Sequence, residues 1–280
     1  MSRQEPKSNE QGALWNGLGG QSWVASQDLL DDLFRPIEDL LVDSAVSVKP
    51  HHVLDVGCGT GSTTIALALR LGGSGACTGV DISEPMISRA RERASLEDVA
   101  VTYVRADAQT YPFDRASFDL LISRFGVMFF DDPVEALANL RRAAAPGAAV
   151  RFIAWRGAAE NPFMTTAEHA AAPLLPQLPS RRPNEPGQFA FADRDRVREI
   201  PQNGGWHAVG IEPIDVPCTM PEGALVRYVS QLGPVGRALQ QADDECRARV
   251  IAAVRPAFTP YVLGGEVRFA AACWMMEARA

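Results

Sequence analysis

VLDVGCGTG, residues 53–61, carries one carboxylate, Asp55, inside an apolar run and then places glycine at alternate positions, Gly57, Gly59 and Gly61. A strand that runs into glycines can reverse tightly, and a ligand can press against backbone that has no Cβ. Glycine-rich strand-to-helix turns serve several ligands, so the turn alone does not say which one.

Outward from this stretch, short apolar runs alternate with helical ones. HHVLDVG is followed by STTIALALRL, ACTGVDI, EPMISRARERA and VTYVRAD; FDLLISRFGVMFF then leads into DPVEALANLRRAAAPG and AAVRFIAW. That alternation predicts parallel strands joined by helical crossovers, an α/β, doubly wound, Rossmann-like sheet. The closing run EVRFAAACWMMEAR, 266–279, arrives without a crossover helix of its own and is expected to run antiparallel.

Ahead of the sheet, Leu30, Leu33, Phe34, Ile37, Leu40 and Leu41 recur at intervals of three and four, an amphipathic helix that Pro36 either kinks or divides. Residues 156–190 carry six prolines and no sustained strand pattern, which predicts an insertion over the sheet, ordered as a lid or binding loop. DRDRVREI reads as a short helix, AVGIEPIDVPCTM as a strand and 221–262 as helical. The expected division is an N-terminal helical lid over 1–50 and a main domain over 51–280, with 156–190 and 221–262 as substrate-cap elements.

The 280 residues are 46% hydrophobic and carry a formal charge of −7, which suits a sizeable core and argues against a broad nucleic-acid footprint. Five cysteines without a CxxC pair indicate neither a zinc site nor a disulfide framework. The opening MSRQEPKSNEQG lacks an apolar signal core, and no run approaches the about 20 apolar residues of a membrane span, so a cytoplasmic location is expected.

Three ligands compete for the glycine turn. No Gly-Lys-Ser/Thr follows it, which leaves no lysine for the phosphates of a nucleoside triphosphate. A dinucleotide turn would place its third glycine at 62, which is Ser62. Asp55 beside the turn would repel a pyrophosphate but attract a cation, and S-adenosylmethionine carries a sulfonium, an ammonium and no phosphate. Asp81 ends the next strand, 20 residues past Gly61, where a carboxylate accepts from ribose hydroxyls in either kind of adenosine ligand. Asp107 ends the third strand, where it could accept from the adenine amino group while Ala108 offers a backbone N–H.

With these residues, VLDVGCGTG, GVDIS…M, ADAQTYPF…SFDLLIS and AAAPGAA resemble the successive motifs of class I S-adenosylmethionine-dependent methyltransferases, the ubiquinone/menaquinone C-methyltransferase-like group in particular. The resemblance covers roughly 51–155. It implies a seven-stranded sheet with an antiparallel last strand and a methyl-donor site in which Asp55, Gly57 and Gly59 hold the methionine end. Asp81 then holds the ribose, Ile82 and Met86 flank the adenine, and Asp107 with Ala108 read its edge. In similar enzymes a segment ahead of the first strand folds over the donor, which puts Trp15, Trp23 and Gln27 near the sulfonium. The chain departs from the quinone-methylating pattern at SRFGVMFFDDP and in the 156–190 insertion.

In-line methyl transfer needs positioning and no metal, and it needs a base only where the acceptor must lose a proton. The candidates for contact or proton transfer are Ser123 and Arg124 at the end of the fourth strand, Glu160 and His169 in the insertion, and Tyr228. His51 and His52 precede the first strand, at the wrong sheet edge. Phe125, Met128, Phe129, Phe163 and Phe189 are the expected apolar wall for a small, partly apolar acceptor. Pro217-Cys218 lies in the sixth strand, not after the fourth as in cytosine-C5 methyltransferases, which also tells against a nucleic-acid partner. The other readings are a protein side-chain methyltransferase, a non-catalytic donor-binding protein and, more distantly, an NAD(P)-dependent reductase, for which no Tyr-xxx-Lys is present.

Overall fold

The computed structural model describes residues 10–280; all but the end of the MSRQEPKSNEQG segment lies outside them. Seven strands form one sheet: β1 (His52–Val56), β2 (Ala76–Asp81), β3 (Val101–Arg105), β4 (Phe118–Arg124), β5 (Ala144–Trp155), β6 (His207–Pro221) and β7 (Glu266–Arg279). Their spatial order is β3-β2-β1-β4-β5-β7-β6, and a two-residue strand, Val262–Leu263, also pairs with β7. The first five strands are mutually parallel, and β7 runs antiparallel to both β5 and β6. The doubly wound sheet with an antiparallel last strand is therefore as expected.

Eleven α-helices are seen among the described residues: α1 (Glu10–Asn16), α2 (Leu18–Ala25), α3 (Gln27–Ser47), α4 (Ser62–Leu71), α5 (Glu84–Leu96), α6 (Pro133–Ala143), α7 (Pro162–Ala171), α8 (Arg194–Asn203), α9 (Leu225–Gln231), α10 (Gly233–Gln240) and α11 (Asp244–Ala257). The alternation breaks once. Residues 106–117, ADAQTYPFDRAS, connect β3 to β4 without a helix, because they contain Pro112 and no apolar face to lay on the sheet.

The central strands read as near-continuous apolar runs because helices cover the sheet, and Leu54, Leu120, Leu121 and Ile122 are fully buried. β6 holds Pro213, Pro217 and Pro221 and still pairs along β7; it is an edge strand, so the missing N–H groups cost no ladder on its open side.

Two expectations about the covers change. Pro36 neither divides nor ends α3, which runs unbroken for 21 residues with Leu33, Ile37 and Leu41 fully buried; packing of that face outweighs the one backbone bond a proline removes. Among the described residues, 10–25 lie over the carboxyl edge of the sheet, while α3 buries Leu33, Ile37 and Leu41 in the core and lines the cavity and annex with Gln27, Leu30 and Phe34.

The 156–190 insertion also divides. Its first part forms α7, and Asn161 fastens it to β7 by donating to Ala272 O (2.9 Å) and accepting from Ala272 N (2.9 Å). Phe163 stacks on Phe269 of β7 at 3.9 Å. Only the irregular 172–193 stretch behaves as a loop over the cavity.

Candidate active site

The carboxyl ends of β1, β2 and β4 converge on the glycine turn, and the three glycines serve different ends. A Cβ on Gly57 would lie 2.6 Å from Gly126 Cα, and one on Gly61 would strike the Tyr103 hydroxyl. These two are glycine because the protein's own chain approaches them. Gly59, at φ +55°, would meet only Met86 Cε at 3.8 Å, so it alone leaves room beside the cavity.

The turn is held by the next strand. Gly57 N and Cys58 N donate to Val80 O at 2.8 and 3.1 Å. Asp81 accepts from Gly59 N through Oδ2 and from Ser83 N through Oδ1, both at 2.9 Å. Burial pushes the Asp81 carboxyl up, and these N–H groups oppose the shift. Asp55, at the end of β1, accepts from Thr64 Oγ1 at 2.6 Å. Burial pushes it up to about 7 against the pull of Thr64 and Arg124.

Two joined concavities open here. The larger, about 400 Å³, is lined by Trp23, Gly57, Gly59, Asp81, Ile82, Met86, Asp107, Ala108 and Arg124 among the residues anticipated from sequence. A small polar annex of about 50 Å³ adds Asp55 and Gln27, with Asp31, Thr60 and Thr63. The Gln27 amide is held between Arg89 (2.9 Å) and Asp31 (2.8 Å). Ala108 is buried against Asn139, which donates to its carbonyl at 3.0 Å, whereas the Asp107 side chain lies exposed at the rim.

Arg124 lines both spaces. Its Nη2 lies 3.8 Å from Glu38 Oε2, and Glu38 is also bonded by the Ser62 hydroxyl. Its Nη1 is buried with no hydrogen-bond partner. A buried guanidinium N–H without an acceptor costs on the order of 1–3 kcal/mol.

Other sequence candidates fall elsewhere. Ser123 lines neither space: its hydroxyl donates to Val56 O (2.7 Å) and accepts from Gly126 N (3.2 Å), bolting β4 to β1. His169 is exposed, on a side of α7 that does not line the cavity, and Glu160 is paired with Arg156 at 2.9 Å. Tyr228 does line the cavity, but burial pushes its phenol up, so it is no base at neutral pH. His51 and His52 are exposed at the other end of β1. Cys218 is buried and pushed up to about 12, which removes it as a nucleophile.

Of the expected apolar wall, Phe125, Met128, Phe129 and Phe163 line the cavity; Phe189 does not, and instead underlies the Arg181 guanidinium at 4.6 Å. Phe125 adopts φ +68°, rare for an aromatic residue, and stacks on Trp155 at 4.6 Å. Strain of that kind is stored where the surroundings over-determine it.

The roof comes from the N-terminal helices and from α9 and α10. Ser83 Oγ donates to Trp15 O at 2.6 Å and Asn16 Nδ2 to Ile82 O at 3.1 Å, tying α1 to the turn after β2. Trp15 meets Trp23 edge-on at 6.1 Å and Phe129 at 5.0 Å. From the other side, Gln240 Nε2 donates to Ser22 Oγ at 2.7 Å and Arg227 to Ala25 O at 2.5 Å.

Sequence reading missed Gln11, Glu168, Arg181 and Arg237, all on the cavity wall. One signal was present: Phe163, Met164 and Ala167 share a helical face, and that phase brings in Glu168 while leaving His169 off it. Among the described residues no group of three or more His, Cys, Asp or Glu side chains is arranged to hold a metal, and no helix is long and apolar enough to cross a membrane.

Residues 53–147 match a family described as a methyltransferase domain. The chain is 36% identical over 109 residues to aklanonic acid methyltransferase DauC of Streptomyces sp. strain C5, a stretch covering 39% of this chain and 50% of that protein. It is 40% identical over 99 residues to demethylmenaquinone methyltransferase of Lactiplantibacillus plantarum, covering 35% and 42%. The matched stretch thus spans half or less of these relatives. Among solved structures, the YcgJ protein of Bacillus subtilis is similar over 86% of this chain and 98% of its own (16% identity, TM-score 0.57). The cyclase SpnF is similar over 93% and 94% (17% identity, TM-score 0.56). At such identities the likeness is one of fold.

Proposed function

We propose that residues 53–147, which match a methyltransferase domain, bind S-adenosylmethionine in the manner of class I methyltransferases, and that the chain methylates a small, partly apolar metabolite held in the large cavity. The observation that carries this reading is the polar annex, which Arg124 and the buried Asp55 both line. An amino-acid end, with a carboxylate for Arg124 and an ammonium for Asp55, satisfies both; a pyrophosphate satisfies only the first.

S-adenosylmethionine supplies a sulfonium methyl whose carbon takes the acceptor's lone pair while the C–S pair returns to sulfur, leaving S-adenosylhomocysteine. The chain's own part is to hold and to exclude. Asp81, already fixed at the cavity wall by two backbone N–H groups, offers its remaining lone pairs to the ribose hydroxyls. Ile82 and Met86 give the adenine an apolar slot, with Asp107 and Ala108 at its edge. Trp15 and Trp23 close over the sulfonium, and a tryptophan face attracts a cation by about 0.5–2 kcal/mol. Among the described residues no histidine lines the cavity, and proximity and alignment supply the main acceleration.

The relatives named for aklanonic acid and demethylmenaquinone support a low-molecular-weight acceptor over a protein. The test is to incubate the chain with methyl-labelled S-adenosylmethionine and a cell extract. Label is expected in organic-extractable small molecules. Label in protein alone, or none beyond a no-enzyme control, would contradict the proposal.

A further inference from the structure

Where α7, α10 and the 172–193 loop wall the cavity, the charged side chains are Glu168, Arg181 and Arg237. Two cations face one acid there. Glu168 is committed to Arg181, which reaches it through Nε at 3.1 Å and also through Nη2, while the face of Phe189 sits under the same guanidinium. Arg237 has no carboxylate within ion-pairing distance among the described residues; it feels Glu168 and Arg181 only at longer range, and burial lowers its pKa. A half-buried guanidinium that is desolvated but not neutralised is a site for a negative oxygen. Arg237 projects from α10, whose N-terminus also lines the cavity at Leu232, Gly233 and Pro234 without a side-chain cap. At the sheet edge the acids are in excess, with Asp55, Asp81, Asp107 and Asp131 against the one cation Arg124.

Resting on the methyl-transfer reading above, we propose that Arg237 binds an anionic group, a carboxylate or similarly charged oxygen acid, on the methyl acceptor, so that the substrates are apolar ring compounds bearing an acid. The aromatic and methionine lining between the two ends, Phe125, Met128, Phe163 and Met164 among it, suits the ring skeleton, and Arg237 sets its direction in the cavity. Arg181 is a positioning residue here: by occupying Glu168 it keeps that carboxylate from neutralising Arg237.

The experiment compares 2-naphthoate with the neutral 2-naphthamide by calorimetric titration of the full chain, with and without S-adenosylhomocysteine, in the wild type and in Arg237→Gln. The acid is expected to bind the wild type about tenfold more tightly than the amide, and the preference to vanish in the variant, whose affinity for S-adenosylhomocysteine stays unchanged. Equal affinities for the two probes in the wild type, no binding of either, or a preference that survives Arg237→Gln would overturn it. Failure of the wild type to bind S-adenosylhomocysteine would instead sink the methyl-transfer reading, and the acid–amide comparison on the donor-free chain would still decide the anion site.

Discussion

Asp81→Ala is expected to lower affinity for S-adenosylhomocysteine by about a hundredfold or more, measured by calorimetric titration. Both carboxylate oxygens are already engaged, by Gly59 N and Ser83 N at 2.9 Å, so the side chain is at once the clamp of the glycine turn and the proposed ribose acceptor. Its removal orphans two N–H groups in the loop that shapes the cavity, each worth on the order of 1–3 kcal/mol when left unpaired, and removes the charge-assisted bonds to the ligand. Asp81→Asn should fall between, because it keeps one acceptor oxygen and turns an amide N–H toward a backbone N–H. An affinity within about threefold of wild type for Asp81→Ala would show that the ribose lies elsewhere.

Gly57→Ala is expected to act first on folding. The new Cβ would sit 2.6 Å from Gly126 Cα, at φ +69°, and Gly126 is itself held by its N–H to the Ser123 hydroxyl at 3.2 Å. Backbone meets backbone, so the ends of β1 and β4 must part. A left-handed alanine costs about 1 kcal/mol and the overlap about 2–3 more, giving a drop in Tm of roughly 6–10 °C for a chain of this size. Gly59→Ala is the contrasting case. Its Cβ finds only Met86 Cε at 3.8 Å, so Tm should fall by about 2–4 °C while the methyl group projects beside the donor cavity and weakens S-adenosylhomocysteine. Equal thermal shifts for the two variants, followed by calorimetry, would contradict the different roles assigned to the two glycines.

Much of this was legible in the sequence because the signals are local. Asp55, Gly57, Gly59, Asp81, Asp107 and Ala108 stand at successive strand ends, and strand ends in a doubly wound sheet meet at one edge. Their reasons were less legible. Gly57 and Gly61 read as ligand contacts, yet Gly126 and Tyr103, 69 and 42 residues later, are what forbid a Cβ there. Ser123 reads as a crevice residue from its place in β4, but alternation turns its hydroxyl to Val56 O and Gly126 N. The cap was the least legible part. Glu168, Arg181 and Arg237 share one cavity wall across long sequence distances, with Asn161 pinning α7 to β7 and Gln240 tying α10 to α2, contacts separated by 111 and 218 residues that no periodicity announces.

The central claim is that the crevice is built for a phosphate-free nucleoside with an amino-acid end, and titration of the donor-free chain with S-adenosylhomocysteine at pH 6 and pH 8, with NADH as the comparison, tests it most directly. Burial holds Asp55 at about 7, so at pH 6 it is mostly protonated and must give up that proton to meet the ligand's ammonium, whereas at pH 8 it is already ionised. Affinity for S-adenosylhomocysteine should therefore be about tenfold higher at pH 8 than at pH 6, with the dependence abolished in Asp55→Asn and with no binding of NADH. An affinity independent of pH in the wild type, or tight binding of NADH in place of S-adenosylhomocysteine, would contradict it.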